Sequence, residues 1–265
     1  MVNVVRRTIL MAASFAVGAM LAGPVLAQQK ITVGAYPSNP PWEFKNEKGE
    51  FEGFEIDLIK EIGKRLGSPV EFSDMGFQAL FAATSSGRVD VAVSSITITP
   101  ERIKSQSFTQ PYYDADLGLA AKKTGPKTLA EMKGKTVGVL STSTGDKWTQ
   151  ENKDKYGFGK INGYNAQTEM LLDLANGRVD GVVSDIPGME YSFIKMKDLG
   201  IAERIKTGEQ YGLMMTKNHP MLAKVNDTIS AMKKDGSLAA IHKKWFGTDA
   251  APDSSTLAAR ALPGT

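Results

Sequence analysis

An internal repeat constrains this sequence more than any other feature: the chain contains SSGRVDVAVSSIT at 85–97 and ANGRVDGVVSDIP at 175–187, an offset of 90 residues between Gly87 and Gly177. In each copy, a run with the apolar spacing of a helix precedes the glycine, and a short Val-rich run follows it. Glycine just past a helix takes the left-handed conformation that ends it, and the Val-rich run has the length of a buried parallel strand. Each copy therefore predicts a helix, a glycine stop and a strand.

Polar residues close both copies at the carboxyl end of the predicted strand. The alignment pairs Ser94 with Ser184 and Ser95 with Asp185. Open α/β sheets place ligand sites at the carboxyl ends of their strands. Chance is the competing explanation, because Gly-x-x-Asp between a helix and a strand is common. Since the agreement extends into the polar strand ends, we predict an α/β chain of two similar lobes, each offering polar side chains from a matching strand.

Residues 1–27 have the pattern of a secretory signal peptide. A positive start with Arg6 and Arg7 precedes an apolar stretch that is too short for a comfortable membrane span, and Val25-Leu26-Ala27 supplies small residues for cleavage before Gln28. No cysteine follows the cleavage point, which argues against a lipid anchor. We therefore predict export to the periplasm as a soluble protein, with the paired arginines leaving the twin-arginine route open.

Composition argues against several function classes. The chain has 32 basic and 29 acidic residues, and loss of Arg6 and Arg7 leaves a nearly balanced mature chain, which does not suggest nucleic-acid binding. Zero cysteines exclude thiol chemistry, and His219 and His242 are the only imidazoles. Two histidines and no cysteine make a histidine-based catalytic triad or a zinc site improbable. We predict no metal, no other cofactor and no nucleic-acid partner.

The predicted elements divide the mature chain into four segments. Residues 28–116 form the first part of lobe 1, and 117–210 form lobe 2. Residues 211–248 are too few for a domain of their own, so we expect them to return to lobe 1 and to make a second crossing at a hinge. Residues 249–265 are rich in Ala, Ser and Pro and predict a flexible tail.

Three features suggest a pocket for a zwitterion. Thr99-Pro100-Glu101 is a strong helix start that places Arg102 in the first turn, and a guanidinium can grip a carboxylate through two parallel bonds. Hydroxyl residues at 141–144 precede another predicted helix, whose first N–H groups can bind an anion. Asp185 offers the opposite charge from the second repeat.

Each of these features also has an ordinary structural explanation. Arg102 could pair on the surface with Glu101 or Asp114. The hydroxyl run could serve only to cap its helix, which is its commonest use. Asp185 could cap the helix that begins at Pro187. The sequence pattern by itself leaves both explanations open.

Six further motifs occur in order across 30–248: PWEF at 41–44, GFEIDL at 53–58, GRVD at 87–90 continuing to SSITITPER at 94–102, the segment 108–113, Ser184-Asp185, and KKWFG at 243–247. In this order they resemble the motifs of the periplasmic polar amino-acid-binding proteins of ABC importers, the family 3 solute-binding proteins. The resemblance implies the type II periplasmic binding protein fold, in which two lobes are joined by two crossover hinge segments. Glutamate-receptor ligand-binding domains share that fold.

The resemblance also implies roles for individual residues. The family arginine matching Arg102 binds the ligand α-carboxylate with help from groups matching Thr97 and Thr144. The aspartate matching Asp185 binds the α-ammonium together with the serines that end the first repeat, and an aromatic matching Phe77 packs on the ligand side chain. The full predicted ligand-binding set is Arg102, Thr97, Ser94, Ser95, Asp185, Thr144, Ser143, Phe77, Tyr36, Asn39 and Leu140.

Departures from the family pattern bear on the ligand side chain. Tyr36 stands where binders of basic amino acids carry an aspartate, and Asn39 stands where an aromatic is frequent. Leu140 suits an aliphatic stem. A buried cationic side chain needs a carboxylate at its tip, so we predict a neutral polar amino acid. A basic ligand remains the alternative if Glu43 points into the cleft, and acidic or modified amino acids stay open.

The predicted function is capture of one free amino acid by a monomeric binding protein, which delivers it to an ABC transporter permease in the inner membrane. One alternative is a cleft enzyme of the same fold, such as a cyclohexadienyl dehydratase. Such an enzyme needs a general acid, for which Glu43 and Glu190 are the candidates. The other alternative is a soluble ligand-sensing partner of a separate receptor.

Overall fold

The computed structural model describes residues 30–264. The predicted signal peptide at 1–27 and its cleavage before Gln28 lie outside this range. Within it, no helix has both the length and the apolar character needed to cross a membrane.

The strands of the described chain are β1 (Ile31–Ala35), β2 (Ser38–Asn39), β3 (Glu43–Lys45), β4 (Phe51–Glu52), β5 (Val70–Asp74), β6 (Val91–Val93), β7 (Gln106–Phe108), β8 (Tyr113–Lys122), β9 (Thr136–Leu140), β10 (Lys160–Tyr164), β11 (Gly181–Asp185), β12 (Leu199–Tyr211) and β13 (Met214–Thr216). The α-helices are α1 (Phe54–Leu66), α2 (Phe77–Ser85), α3 (Pro100–Ser105), α4 (Thr144–Glu151), α5 (Lys153–Tyr156), α6 (Gln167–Asn176), α7 (Ile186–Phe193), α8 (Leu222–Lys234) and α9 (Ser237–Phe246). A short 3-10 helix spans Ala130–Met132.

Two five-stranded sheets form the centres of the two lobes. The order is β5-β1-β6-β13-β7 in lobe 1 and β10-β9-β11-β8-β12 in lobe 2, and β2, β3 and β4 make a small separate sheet. In each lobe the first three strands of this order run parallel. The remaining strands pair antiparallel with their neighbours. The predicted two-lobe α/β architecture is confirmed.

The repeated GRVD motif performs the same structural task in both lobes. The Asp90 carboxylate accepts the Thr32 N–H at 2.7 Å, and the Asp90 N–H donates to the Thr32 carbonyl at 2.9 Å. Asp180 makes the equivalent pair of bonds with Thr136, at 2.8 and 2.9 Å. The glycine of each copy has a positive φ, 70° and 75° respectively. The motif therefore ends a helix and ties the following strand to its central neighbour.

Helix α1 illustrates how the sequence pattern fixes a local element. Its apolar positions, spaced at three residues, put Ile56, Ile59 and Ile62 into the lobe 1 core with no exposed surface. The helix ends at Gly67, which has φ 64° and donates its N–H back to the last turn. Gly53 precedes the helix at φ 139°, and a Cβ there would lie 2.1 Å from the Trp42 carbonyl oxygen. Only glycine permits this approach.

Strands β8 and β12 carry the chain between the lobes. They pair antiparallel over most of their length, from Leu199 opposite Lys122 to Tyr211 opposite Tyr113. At the lobe 1 end, β7 leads into β8 and β12 leads into β13. The chain therefore crosses twice, as the fold prediction requires. We propose lobe boundaries at 116/117 and 210/211, within these strands, with 211–248 completing lobe 1.

Each lobe buries its own hydrophobic core. Trp42 lies at the centre of the larger lobe 1 cluster with no exposed surface. Its ring meets Phe54, Tyr113 and Tyr211 edge to face, with centroid separations of 5.5, 4.7 and 5.3 Å. Such contacts add stabilisation beyond the buried area. Because the two tyrosines lie on β8 and β12, this contact anchors both hinge strands to lobe 1.

The prediction of a flexible tail at 249–265 is wrong for its central part, which packs against lobe 1. Ser255 and Thr256 are buried. The Ser255 N–H and hydroxyl donate to the Asp114 carboxylate at 2.6 and 2.5 Å, and the Thr256 hydroxyl donates to the Tyr112 carbonyl at 3.0 Å. Composition could not reveal these bonds, because their acceptors lie more than 140 residues earlier in the chain.

Deletion of 250–265 should destabilise lobe 1. The buried Lys233 ammonium donates to Gln110 Oε1, the Pro111 carbonyl and the Ala258 carbonyl, and burial already lowers the Lys233 pKa to about 8. Loss of the Ala258 acceptor leaves this charge less well solvated, so we expect the free energy of unfolding to fall by about 1–3 kcal/mol.

Urea unfolding of the truncated and full mature chains measures the effect. The substitution Asp253→Ala is the matched control, because this exposed side chain lies in the same segment and its backbone carbonyl would be retained. Equal stability of the truncated chain and the control would contradict a packed tail.

Candidate functional site

The predicted site residues other than Tyr36 converge on a cavity between the lobes, at the carboxyl ends of β6, β9 and β11. The cavity has a volume of about 20 Å³. Its lining residues are Asn39, Phe77, Ser94, Ser95, Thr97, Arg102, Leu140, Ser143, Thr144, Gly145, Gln167, Ser184 and Asp185. A single buried water needs a cavity of roughly 10–15 Å³, so this cavity is too small for an amino acid. An amino acid can therefore reach these groups only when the lobes separate.

The lobe 1 wall begins with the serines that follow β6. Ser95 has φ 44°, an unusual conformation for a residue other than glycine. Its N–H donates to Glu55 Oε2 at 2.9 Å, and its hydroxyl accepts from Asn39 Nδ2 at 3.1 Å. The hydroxyl of Tyr112 also donates to Glu55. These bonds hold a strained turn that presents Ser94 and Ser95 to the cavity.

Arg102 extends from the first turn of α3. Thr99 caps this helix, accepting the Arg102 N–H at 3.1 Å, and Pro100 occupies the first turn. The guanidinium donates to the Thr97 carbonyl at 2.8 Å and lies 4.9 Å from the centre of the Phe81 ring. Burial lowers the pKa of Arg102, although a guanidinium stays charged in proteins.

Arg102 does not form the surface ion pair with Glu101 or Asp114 that was the alternative explanation for this residue. Glu101 pairs with Lys147 of lobe 2 at 2.9 Å, and Asp114 accepts from Ser255. Within 30–264, Arg102 makes no salt bridge shorter than 4.0 Å. Arg102 lines the cavity instead, and we propose that a ligand carboxylate pairs with its charge there.

The lobe 2 wall contains the hydroxyl run and the start of α4. Ser143 caps the helix by accepting the Asp146 N–H at 3.1 Å. A Cβ at Gly145 would lie 2.8 Å from the Val183 carbonyl oxygen, so glycine allows the helix start to sit directly on β11. The capping role is therefore real, and the same helix start also borders the cavity beside Thr144.

Asp185 ends β11 on the opposite side of the cavity from α3. It occupies the cap position of α7, yet its side chain makes no capping hydrogen bond. Burial and the neighbouring Glu209 raise the pKa of Asp185 well above its usual value, and Arg102 acts in the opposite direction. The buried Tyr211 hydroxyl lies beside Asp185 without meeting standard hydrogen-bond geometry.

Sequence reasoning missed three polar residues of this region. Glu209 on β12 accepts the Thr97 hydroxyl at 2.9 Å, so that hydroxyl is already engaged. Gln167 is the first residue of α6, and its Oε1 accepts from Ser184 at 3.5 Å. The buried Gln167 Nε2 has no partner among the described residues. The alignment of the repeats pairs Ser184 with Ser94, and this pairing could have identified Ser184 as a site residue. No local sequence pattern indicated Glu209 or Gln167.

Tyr36 is the one predicted site residue that does not line the cavity. Its hydroxyl donates to the Asn165 carbonyl at 3.4 Å and accepts the Gln167 N–H at 3.1 Å. Burial raises the Tyr36 pKa, so this hydroxyl stays protonated. Because Tyr36 follows β1 in lobe 1 and both partners lie in lobe 2, this side chain bridges the closed lobes.

Glu43 lies beneath the cavity and not in it. It is fully buried, and its Oε1 accepts from Asn39 Nδ2 at 3.1 Å. Burial and the adjacent Glu55 raise the Glu43 pKa well above its usual value, which favours the neutral carboxylic acid. The other acid considered for an enzyme, Glu190, borders a separate groove on the hinge side. Neither acid lines the cavity.

Comparison with known proteins decides the family. Residues 31–248 match the sequence model of the bacterial extracellular solute-binding proteins, family 3. This chain belongs to that family. It is 34% identical over 240 residues to the ABC transporter arginine-binding protein 1 of Escherichia coli (strain K12), covering 88% of this chain and 95% of that protein. It is 30% identical over 234 residues to the L-cystine-binding protein TcyJ of the same strain, covering 86% and 87%.

Solved structures agree with this family 3 assignment. An ancestral arginine-binding protein bound to arginine superposes with a TM-score of 0.79 at 36% identity, covering 83% of this chain and 99% of that one. The arginine-, lysine-, histidine-binding protein ArtJ of Geobacillus stearothermophilus gives a TM-score of 0.77 at 34% identity, covering 85% and 98%. The family 3 chain described here thus has the type II fold, and like these relatives it is a binding protein, not an enzyme.

Replacement of either charged residue should abolish most binding. We expect Arg102→Ala and Asp185→Ala each to weaken amino-acid affinity by about 2–5 kcal/mol, because each leaves one charge of the ligand buried without its partner. Isothermal titration with the tightest-binding amino acid measures the change, and circular dichroism checks the fold.

Arg178→Ala is the control for Arg102→Ala. Arg178 lies in the second repeat but pairs with Asp173 on the surface, away from the cavity. Binding by both site variants within threefold of the wild type would contradict the predicted zwitterion clamp.

Proposed function

We propose that this family 3 protein captures a neutral polar amino acid in the periplasm and delivers it, as a monomer, to an ABC transporter permease in the inner membrane. Membership of the family supports an amino-acid ligand. The positions of Arg102 and Asp185 in opposite walls of one cavity support recognition of its carboxylate and ammonium groups. The N-terminal sequence pattern supports export.

The proposal that the ligand has a neutral side chain rests on which charged residues line the cavity. Among the described lining residues, Arg102 and Asp185 are the only ones with ionisable side chains, and the α-carboxylate and α-ammonium would engage both. The remaining polar groups are amides and hydroxyls, notably those of Asn39, Gln167 and Ser184. A cationic side chain would thus meet no ionised carboxylate, at a large desolvation cost.

Amide side chains suit a ligand that can both donate and accept hydrogen bonds. The unpartnered Gln167 Nε2 offers a buried donor, and the side-chain amide oxygen of Asn39, which also lines the cavity, can accept a hydrogen bond. A glutamine-like ligand could use both, while Phe77 and Leu140 would pack on its aliphatic stem. An unpaired buried polar group costs free energy, so a ligand that pairs with Gln167 gains affinity.

Relatives keep a basic ligand as the second candidate. By their names, the relatives described above bind arginine, cystine, or arginine, lysine and histidine. Tyr36 argues against arginine here, because it stands where basic-amino-acid binders carry an aspartate, and its hydroxyl is engaged with lobe 2. Glu43 does not restore the negative charge, since its raised pKa favours the neutral acid.

Closure follows from differential affinity. A ligand that joins Arg102 of lobe 1 to Asp185 of lobe 2 binds the closed form better than the open form, and so shifts the population towards closure. Two protein contacts support the closed form directly. They are the Tyr36 bonds to lobe 2 and the Glu101 to Lys147 ion pair at 2.9 Å. The ion pair is exposed and contributes little.

Competition between L-glutamine and L-arginine tests the proposed ligand class. We expect wild-type protein to prefer L-glutamine. The substitution Gln167→Glu places a carboxylate beside the side-chain end of the cavity, and it should shift the ratio of the two affinities towards L-arginine by about tenfold or more.

Gln78→Glu makes the same change of charge at an exposed position near the mouth of the cleft, so it controls for long-range electrostatics. Tighter binding of L-arginine than L-glutamine by the wild type, by about tenfold, would overturn the neutral-ligand proposal.

Small-angle scattering tests closure. Saturation with the tightest-binding amino acid should reduce the radius of gyration, because the lobes rotate about β8 and β12. An unchanged radius of gyration at saturation would indicate a rigid site.

The variant Tyr36→Phe tests the contribution of the Tyr36 hydroxyl to the closed form. It removes the inter-lobe bonds of that hydroxyl, and it should weaken amino-acid binding without changing lobe stability. Tyr164→Phe is the matched control, since the Tyr164 hydroxyl bonds Asp173 within lobe 2.

A further inference from the structure

The small sheet beside the cavity places a buried amide next to a buried acid. Asn39 on β2 is the register partner of Glu43 on β3, so their side chains lie on the same face of this sheet. Both residues are buried. Asn39 lines the cavity, whereas Glu43 does not. Any hydrogen-bonding effect of Glu43 on a ligand therefore passes through Asn39.

Both N–H bonds of the Asn39 amide are used within lobe 1. Nδ2 donates to Glu43 Oε1 at 3.1 Å and to the Ser95 hydroxyl oxygen at 3.1 Å. A primary amide has two N–H donors, so only its oxygen is left for a ligand. Because Glu43 and Ser95 belong to the same lobe as Asn39, these bonds do not depend on closure. The orientation of the amide is set before a ligand arrives.

The Asn39 oxygen faces lobe 2 beside Gly188 of α7. A Cβ at Gly188 would lie 3.7 Å from Asn39 Oδ1 and 3.1 Å from Gln167 Nε2. Gln167 Oε1 accepts the Ser184 hydroxyl at 3.5 Å, which leaves Nε2 as the free group of this amide. Nε2 is buried and has no partner among the residues that the structure describes. An acceptor from lobe 1 and a free donor from lobe 2 therefore face the same small space.

One acceptor and one donor in this arrangement match a primary carboxamide. Its carbonyl oxygen can accept from Gln167 Nε2, and its N–H can donate to Asn39 Oδ1. An ester of similar shape could also accept from Gln167, but it would bring a second oxygen towards Asn39 Oδ1. Two buried acceptors with no proton between them both stay unpaired, which costs free energy. The pair can therefore discriminate between ligands that carry the same charge.

We propose that Glu43 is a positioning residue that holds the Asn39 amide with its oxygen towards the cavity, and that this orientation selects a ligand with a primary carboxamide side chain. The inference rests on the proposed neutral ligand and deepens it. Burial raises the Glu43 pKa well above its usual value, which favours the neutral acid. The carbonyl oxygen of a neutral acid still accepts from Asn39, so the amide is fixed without adding a buried charge beside the ligand.

Isothermal titration with L-glutamine and with the γ-methyl ester of L-glutamic acid tests this selectivity. Both probes are zwitterions with an uncharged side chain, so their affinity ratio reports hydrogen bonding and not charge. We expect the wild type to favour L-glutamine by about tenfold or more, because a site built to accept an N–H rejects an analogue that lacks it.

Glu43→Met removes the acceptor but keeps a long side chain at this position. It frees the Asn39 amide to turn an N–H towards the ester, so the affinity ratio should fall to within about threefold. Glu43→Gln keeps a side-chain oxygen, and the Ser95 bond still favours the same orientation, so this variant should retain most of the wild-type ratio. A merely structural role of Glu43 would weaken the binding of both probes together and leave their ratio unchanged.

Glu47→Met is the matched control, because it makes the same substitution at an exposed acid between β3 and β4. If Glu43→Met does not fold, Ser95→Ala removes the other acceptor of the Asn39 amide and should also lower the ratio. A wild-type ratio within about threefold, or tighter binding of the ester, would overturn the inference and leave the amino-acid function standing. Preference for L-arginine would overturn the neutral ligand, and absence of binding by any amino acid would overturn the function; the inference falls with either.

Discussion

The antiparallel pairing of β8 with β12 is the connection on which both lobes depend. The two strands belong to the lobe 2 sheet, while Tyr113 and Tyr211 at their ends pack on Trp42 in the lobe 1 core. The lobes therefore have separate cores but share one ribbon. This ribbon offers the axis for the proposed closure, because a rotation about its lobe 1 end would change the gap between the strand ends without disturbing either core.

The same ribbon sets the electrostatics of the cleft. It carries Glu209, which accepts the Thr97 hydroxyl of lobe 1, while α3 holds Arg102 in the lobe 1 wall of the cavity. Closure removes these charges from water, which makes each unbalanced charge costly and each well-placed ligand charge valuable. The proposed zwitterion clamp meets this requirement, because Arg102 and Asp185 would each face one charge of the ligand.

Much of the lobe architecture and several site residues could be predicted because they depend on local patterns. The helix, glycine and strand of each repeat appear where the spacing placed them, and the strand ends bring Ser94, Ser95 and Asp185 to the cavity. Gln167 and Glu209 could not be predicted, because one begins an ordinary helix and the other lies within a long strand. The packed tail was missed for a similar reason, since its acceptors lie far away in sequence.

By itself, the sequence determined the two α/β lobes, the helix starts and stops, and the chemical types available for binding a zwitterion. These follow from residue spacing and backbone preferences that act within a few residues. Only the tertiary structure decided which polar groups face the cavity, which face one another, and which are shielded from water. Tyr36 bridges the two lobes and does not line the cavity. Glu43 is buried next to Asn39, and its raised pKa favours the neutral acid. Charge state and partner choice depend on burial and on contacts between distant segments, and no local pattern encodes either.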